Sequence, residues 1–394
     1  MLILGIETSC DETAAALVKD GVEIVSNVVA SSQELHVKTG GIIPEQAARE
    51  QIKCILPVIE EATKRYKPEE IDAIAVTYGP GLIGSLLVGL ETAKTLAYVW
   101  KKPIVPVNHL VAHIYANFIV RESPKEVRVN RELIDKNFSL RSKNKIEFPA
   151  MVLIVSGGHT ELVLMKGHGD FHYIGGTRDD AAGEAFDKIA RILGLGYPGG
   201  PAIQQAAETY QDKIKDQISK IKDQTKDQKF KLPRPMMNSG DFDFSFSGLK
   251  THVLNLMKNI NIDSGSRQER AGSAGMTREK IISTIAYEVQ EAITDVLVKK
   301  TMMAAEKYKV KTILLAGGVA ANERLREKMK ETVENINIDS GSLPIKSGSA
   351  GMTLSVPPLS LCTDNAVSMA SAGFFNYSPT PLDEIVVDPG LEVE

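Results

Sequence analysis

Two histidines four residues apart carry the clearest chemical pattern in the chain, His109 and His113 in Val107-Asn108-His109-Leu110-Val111-Ala112-His113. The apolar, Ala-rich run from Leu110 to Phe118 predicts a helix, on which positions i and i+4 share a face about one turn apart. That is the spacing of a two-histidine metal clamp. Two neutral imidazoles leave coordination positions open, so a carboxylate plus water or substrate oxygens would complete a site that binds and polarises an anionic ligand. Asp364, in the distant Cys362-Thr363-Asp364-Asn365, is the candidate third ligand. The competing reading makes His109 and His113 ordinary helix-surface residues, and only the glycine loops elsewhere favour the clamp.

Those loops recur at the heads of two similar segments. The strand Leu2 to Glu7 runs through Thr8-Ser9-Cys10-Asp11-Glu12-Thr13 into a second apolar run, Ala14 to Val18, which predicts a hairpin whose turn can face a phosphate. Asp11 in that turn would orient a nucleophile or hold metal-bound water, or would simply cap the turn. The pattern returns as Met151 to Val155, then Ser156-Gly157-Gly158-His159-Thr160, then Glu161 to Met165. Its glycines let the backbone approach a ligand, with free amides for an anion. Two such loops suggest an internally duplicated fold gripping one ligand.

Three further stretches would line that ligand. Ile71 to Thr77 predicts a strand leading into Tyr78-Gly79-Pro80-Gly81-Leu82-Ile83-Gly84-Ser85, a turn that opens a helix and serves close packing or anion contact. Asp179 to Lys188 predicts a capped acidic helix ending near Gly194, with Asp187 and the Gly199-Gly200 backbone as contacts for a small polar substrate or a ribose; a solvated acidic face is the alternative. Ile313 to Asn322 predicts a buried strand delivering Gly317-Gly318 into a helix, with Asn322 as helix cap, ribose ligand or both.

Bulk properties set the frame. At 394 residues the chain calls for two domains, and its longest apolar run, Ile83 to Leu90, is too short and too glycine-rich for a membrane span. Met1 to Glu7 has neither a basic start nor a cleavage site, which predicts a buried strand and a cytoplasmic protein. Three isolated cysteines exclude a disulfide framework and a four-thiolate metal site. A net charge of −4 offers no general attraction to nucleic acid, so an RNA substrate would need local patches or a partner. Four stretches look peripheral: the mixed-charge Arg121 to Glu147, the Lys-Asp-Gln repeats of Tyr210 to Lys231, and two near-copies, Asn259 to Ser266 with Gly272 to Thr277 and Asn335 to Ser342 with Gly348 to Thr353, expected to be surface loops.

Taken together, Glu7 to Thr13, His109 with His113, Ser156 to Thr160, Gly183 to Lys188, Ala316 to Asn322 and Cys362 to Asn365 closely resemble the TsaD family, and Phe242 to Lys250 fits its pattern too. Members were once taken for glycoprotein endopeptidases and are understood as tRNA threonylcarbamoyladenosine synthases. The resemblance implies a duplicated actin-like, sugar-kinase-like α/β fold with the active site in the cleft between two lobes, the first from residues 1–148 plus 359–394 and the second from 149–358, with insertions at about 210–231, 259–277 and 335–353. It implies that His109, His113 and Asp364 hold one divalent ion, iron in preference to zinc, and that Ile154, Val155, Ser156, Gly157, Gly158, Asp187, Gly200 and Asn322 contact the adenylate. It implies threonylcarbamoyl-AMP and tRNA as substrates, with TsaB-like and TsaE-like partner proteins. Asp11 is the candidate for assisting proton removal from the attacking amine. Where many members carry a histidine, this chain has Gln51 after Ala48-Arg49-Glu50. Rival readings are a metal-dependent endopeptidase, which in its HExxH form needs a glutamate where Leu110 stands, an actin-like ATP-binding switch, and a sugar kinase on the same fold.

Overall fold

The computed structural model describes residues 1–32, 41–122, 146–218, 230–259, 277–339 and 351–393. Two mixed sheets carry the molecule, and they repeat one plan. In the first, β1 (Leu2–Glu7) pairs antiparallel with β2 (Glu12–Lys19), β2 pairs antiparallel with β3 (Glu23–Ser31), and β4 (Ala73–Gly79) and β5 (Ile104–Asn108) extend the other side in parallel. The short β6 (Arg121–Glu122) adds to the β3 edge, giving the order β5-β4-β1-β2-β3-β6. In the second, β7 (Ala150–Val155), β8 (Thr160–Gly167) and β9 (Asp170–Gly176) form the antiparallel meander, and β10 (Thr312–Ala316) and β11 (Thr353–Ser355) extend it in parallel, in the order β11-β10-β7-β8-β9. Strand for strand, the directions match. The expected hairpins at both loops are present, and the duplication expected from the two glycine turns is visible as topology.

The central strands are apolar on both faces because both faces are covered. In the first sheet Leu4, Ile6, Ala15, Leu17, Ile74 and Val76 pack beneath α1 (Pro44–Thr63) and α2 (Ile83–Trp100). In the second, Met151, Leu153, Val155, Ile313 and Leu315 pack against α4 (Ala182–Leu193), α6 (Ser247–Asn259), α7 (Arg278–Tyr308) and α8 (Glu323–Asp339), with α5 (Gly199–Ile218) alongside α4 and α7. The remaining faces look at each other. Ile3, Ala75 and Val107 from one sheet share a core with Val152, Ile154 and Leu314 from the other, and two short helices fill the space between, α3 (His109–Tyr115) and α9 (Ala366–Phe375). Burying side chains such as Val367 and Met369 there contributes about 1.5–3 kcal/mol each.

Polar staples fix the two sheets across this layer. Asn117 donates to Leu315 O at 2.8 Å and accepts from Ser355 Oγ at 3.0 Å, so one buried amide joins the end of α3 to β10 and β11. The last residues form a strap over the first sheet: Asp388 N donates to Tyr78 O at 2.8 Å, Asn108 Nδ2 donates to Glu392 O at 2.8 Å, and Ile385 and Val393 are buried.

Some expected boundaries move. The strand expected at Ile71 to Thr77 runs Ala73–Gly79, and the expected helix at Leu110 to Phe118 is α3 followed by a single 3-10 turn, Ala116–Phe118. The near-copied stretches are not simply surface loops. Asn335 to Asp339 continue α8, whose Leu325, Met329 and Val333 keep helical spacing on the core, and the Asn337 amide is bonded twice to Met352, at 2.9 and 3.0 Å. Asn259 closes α6, and Thr277 caps α7 by accepting from Lys280 N at 3.3 Å. Tyr210 to Ile218 continue α5. Residues 123–145, 219–229, 260–276 and 340–350 of the four stretches lie outside the described residues.

Candidate active site

The histidine pair is set by the end of β5. Asn108 closes that strand and caps α3, its Oδ1 accepting from Leu110 N at 2.8 Å and Val111 N at 3.2 Å, so His109 becomes the first helical residue and His113 follows one turn on. The rings lie edge to face with centroids 4.6 Å apart. They are 8% and 3% exposed, which overturns the helix-surface reading: α3 is packed between the sheets and both histidines are buried.

Asp364 meets them from the turn before α9. Its Oδ1 lies 3.3 Å from His113 Nε2 and 3.6 Å from His109 Nε2. Asn365 fixes this turn, accepting from Ser368 N at 3.0 Å and donating to Thr363 O at 2.7 Å and Leu361 O at 3.3 Å. One donor atom from each of His109, His113 and Asp364 falls within 4.8 Å of the others. Ligands bound at about 2.1 Å around a tetrahedral ion stand roughly 3.4 Å apart, so the donor set and its spacing fit a divalent metal. The charges agree. Burial works against a charged His109, but the carboxylates of Asp364 and Glu7 outweigh it and push the imidazole up to about 9. Burial likewise raises Asp364, yet the two imidazoles hold it below the ordinary carboxylate range. The pocket favours a cation.

A supporting layer stands behind the three donors. Glu7, wholly buried at the end of β1, places Oε2 3.5 Å from His109 Nδ1, accepts from Ser9 N at 2.6 Å and receives the Thr77 hydroxyl. Ser9 Oγ is 3.2 Å from the same Nδ1. A carboxylate on the far nitrogen of a ligating imidazole fixes its tautomer and leaves Nε2 for the ion. Gln51 of α1 reaches under the turn and donates toward Thr8 O, Cys10 O and Glu12 O at 3.3, 3.0 and 3.0 Å. None of these residues was expected to support the histidines, although Gln51 and the Glu7 to Thr13 stretch both entered the family comparison of motifs. Only Glu7 left a signal, as a carboxylate closing an otherwise apolar strand.

Asp11 sits at the tip of this turn, half-buried, its carbonyl accepting from Ser32 N and Oγ. Burial, then the charges of Asp364 and Asp11, push Glu12 up to about 10, so Glu12 keeps its proton and bonds to Asp11. Burial and then Asp187 and Asp11 push the Tyr197 phenol up to about 12; Tyr197 thus lies within electrostatic reach of both carboxylates.

The second sheet brings its own loop to the same place. Ile154 and Val155 are wholly buried in β7, where they hold the following turn in place from within the sheet. The turn after them is tight: Ser156 N donates to His159 O at 2.8 Å, and His159 N donates to Ser156 Oγ at 3.1 Å. Gly157 and Gly158 are exposed with open space where a Cβ would stand. Two other glycines are required here by close approach. A Cβ on Gly183 would lie 2.4 Å from Ser156 O, and Gly317, at φ 88°, would place one 2.5 Å from Val155 O. Burial, then His109 and His113, push His159 down to about 4, so this loop faces the histidine pair as a neutral imidazole.

The remaining predicted residues are placed as follows. Asp187 Oδ1 accepts from Gly199 N at 2.6 Å, with burial raising the carboxyl, and Gly200 follows with open space beside it. The acidic helix has no side-chain cap of its own; Thr160 Oγ1 accepts from Ala182 N at 2.9 Å instead, and Asp179 turns away to accept from Ser245 Oγ, Phe246 N and Ser247 Oγ at 2.6, 2.8 and 2.6 Å. Asn322 is a helix cap, its Oδ1 accepting from Leu325 N at 3.0 Å and its amide donating to Gln290 at 3.1 Å. The glycine turn before α2 packs closely, as one of its two readings required: Leu82 N donates to Ser9 O at 2.8 Å.

The family model described as "TsaD: tRNA N6-adenosine threonylcarbamoyltransferase" matches residues 23–129 and 136–371. A tRNA N6-adenosine threonylcarbamoyltransferase of Bacillus subtilis is 45% identical over 398 residues, covering 100% of this chain and 96% of its own length. One from Thermomicrobium roseum is 44% identical over 387 residues, covering 95% and 92%. Among solved structures, that of T. kodakarensis HypF superposes with a TM-score of 0.52 at 16% identity, over 95% of this chain and 47% of that one, a likeness of fold alone. The two matched sheets are those of the duplicated actin-like, sugar-kinase-like α/β fold. With a family model spanning most of its length and relatives this similar end to end, the chain belongs to the TsaD family of tRNA N6-adenosine threonylcarbamoyltransferases.

Proposed function

We propose that the chain transfers the threonylcarbamoyl group of threonylcarbamoyl-AMP to the exocyclic amine of the adenosine immediately 3′ of the anticodon, in tRNAs reading codons that begin with adenosine, and releases AMP. The observation that carries this reading is the meeting of His109, His113 and Asp364, one donor atom from each within 4.8 Å of the others, near enough to the Ser156 to His159 turn for both histidines to act on His159. The amine nitrogen forms a bond to the carbamoyl carbon, the bond from that carbon to the phosphate oxygen breaks, and AMP leaves with the electron pair. His109, His113 and Asp364 would hold a divalent ion, iron in preference to zinc, which would supply positive charge to offset the negative charge that develops in the transfer. The protein does the rest. Ser156, Gly157 and Gly158, set by Ile154 and Val155 at the end of β7, cradle the adenylate, Asp187, Gly200 and Asn322 bind its ribose and base, and Asp11 takes the amine proton. Residues 1–148 plus 359–394 and residues 149–358 act as the two lobes around the substrate.

The partner reading rests on α1. Ala47, Ile55, Val58 and Ile59 are buried against the first sheet, while Ile52 and Leu56 are 64% and 56% exposed, an apolar face without a partner among the described residues and suited to a helix of a TsaB-like protein. A TsaE-like ATPase completes the set, and the reaction is cytoplasmic. No described helix is long and apolar enough to cross a membrane.

The test supplies threonylcarbamoyl-AMP and unmodified tRNA with the partner proteins and follows nucleosides and AMP. One modified adenosine per AMP released is expected. ATP hydrolysis by the chain alone, indifferent to tRNA, would favour the switch reading, and peptide cleavage the endopeptidase reading; either without nucleoside modification defeats the proposal.

A further inference from the structure

Beyond the ligands and the adenylate loops, one cation joins three segments that are far apart in the chain. Arg326, half-buried on the first turn of α8, donates from Nε to Ala320 O at 2.6 Å and from Nη2 to Pro357 O and Cys362 Sγ, both at 3.0 Å. Ala320 belongs to the 3-10 turn Gly318–Ala321 that follows β10. Pro357 precedes the 3-10 turn Leu359–Leu361, and Cys362, wholly buried, stands two residues before Asp364. Its acceptors are two carbonyls and a sulfur, and among the described residues no carboxylate comes within ion-pair distance of it. A planar guanidinium holds several acceptors at a fixed separation, which a flexible ammonium does not. Asp364 therefore stands between two anchors: Cys362, tied by Arg326 to the turn after β10, and Asn365, tied to Leu361, Thr363 and Ser368. Displacing the turn after β10 moves the guanidinium, and with it the backbone that carries the third ligand.

We propose that Arg326 is a positioning residue coupling the Gly317 to Asn322 turn to Asp364, so that an adenylate at the turn and an ion at the histidine pair each favour the binding of the other. The proposal rests on the functional reading above, which assigns the adenylate to one of these elements and the ion to the other. A buried strut with no such role would lower stability when removed and leave the two affinities independent.

The experiment uses the full chain, with Co²⁺ and AMP as probes, and measures each affinity with and without the other by chelator competition and titration calorimetry. For the unaltered protein, AMP is expected to bind at least about five-fold tighter with Co²⁺ loaded, and Co²⁺ to gain by the same factor, since coupling between two sites is reciprocal. Arg326→Ala should bring both ratios to about one while the affinity for Co²⁺ alone changes by less than about three-fold. Arg326→Lys, which keeps the charge without the fork, should fall between, and it carries the test if the alanine variant does not fold. A ratio of one in the unaltered protein, or a ratio preserved in the variants, overturns the coupling. Failure of the unaltered protein to take up Co²⁺ overturns the ligand assignment itself, an outcome told apart by the titration without AMP.

Discussion

At the residue scale the site is a matter of which nitrogen faces which oxygen. His109 is held from behind at Nδ1 by Ser9 and Glu7 and meets Asp364 at Nε2, whereas His113 meets only Asp364 among these contacts. Replacing a ligand and replacing its support should therefore differ. His113→Ala should abolish metal retention and transfer together with the fold intact, measured by elemental analysis and circular dichroism. Glu7→Gln should keep the ligand set and weaken metal binding about 10- to 100-fold, the usual cost of losing such a support; equal metal content at limiting metal in the variant and the parent protein would count against that role. The histidine spacing was legible in the sequence because i and i+4 on a helix is a local relation. Glu7, Ser9, Gln51 and Arg326 were not, because each acts through contacts with segments distant in the chain that no local pattern announces.

At the scale of elements, strands and glycine turns were legible from apolar runs and small residues, and the two hairpins stand where expected. Helix caps were less so. The acidic helix was expected to supply its own cap, yet Thr160 of β8 does this across the sheet, freeing Asp179 to organise the Ser245 to Ser247 loop. The same strand carries a pH-sensitive contact. Burial, then the Glu392 carboxylate of the terminal strap, push Glu161 up to about 7. An acid whose value is raised on folding binds its proton more tightly in the native state, so stability is lost as pH rises from the unfolded value of roughly 4.3 through 7. Glu161→Gln keeps the protonated shape. It should raise stability at pH 8 by on the order of 2 kcal/mol and make no difference near pH 4, read from denaturant unfolding at both values. A gap of the same size at both pH values would exclude Glu161 as its source.

At the scale of the whole molecule, the exposed side of α1 decides what the protein can meet. Ile52→Asp with Leu56→Asp alters two exposed side chains, so stability should stay within about 0.5 kcal/mol while association with the TsaB-like partner, followed by size-exclusion chromatography, is lost. Retained association would place the interface elsewhere. The layer between the sheets has a further consequence, for synthesis. The inner face of the first sheet, with Ile3, Ala75 and Val107, is sealed by α9, which the ribosome delivers only after the whole second sheet. At about 5–20 residues per second, the interval between the emergence of β5 and that of α9 is roughly a quarter of a minute to a minute. Throughout it α3 and the strands of the second sheet are the only cover for that face, and the part over β1 and β2 that α9 closes stays open, so chaperone binding to the nascent chain is expected in this interval.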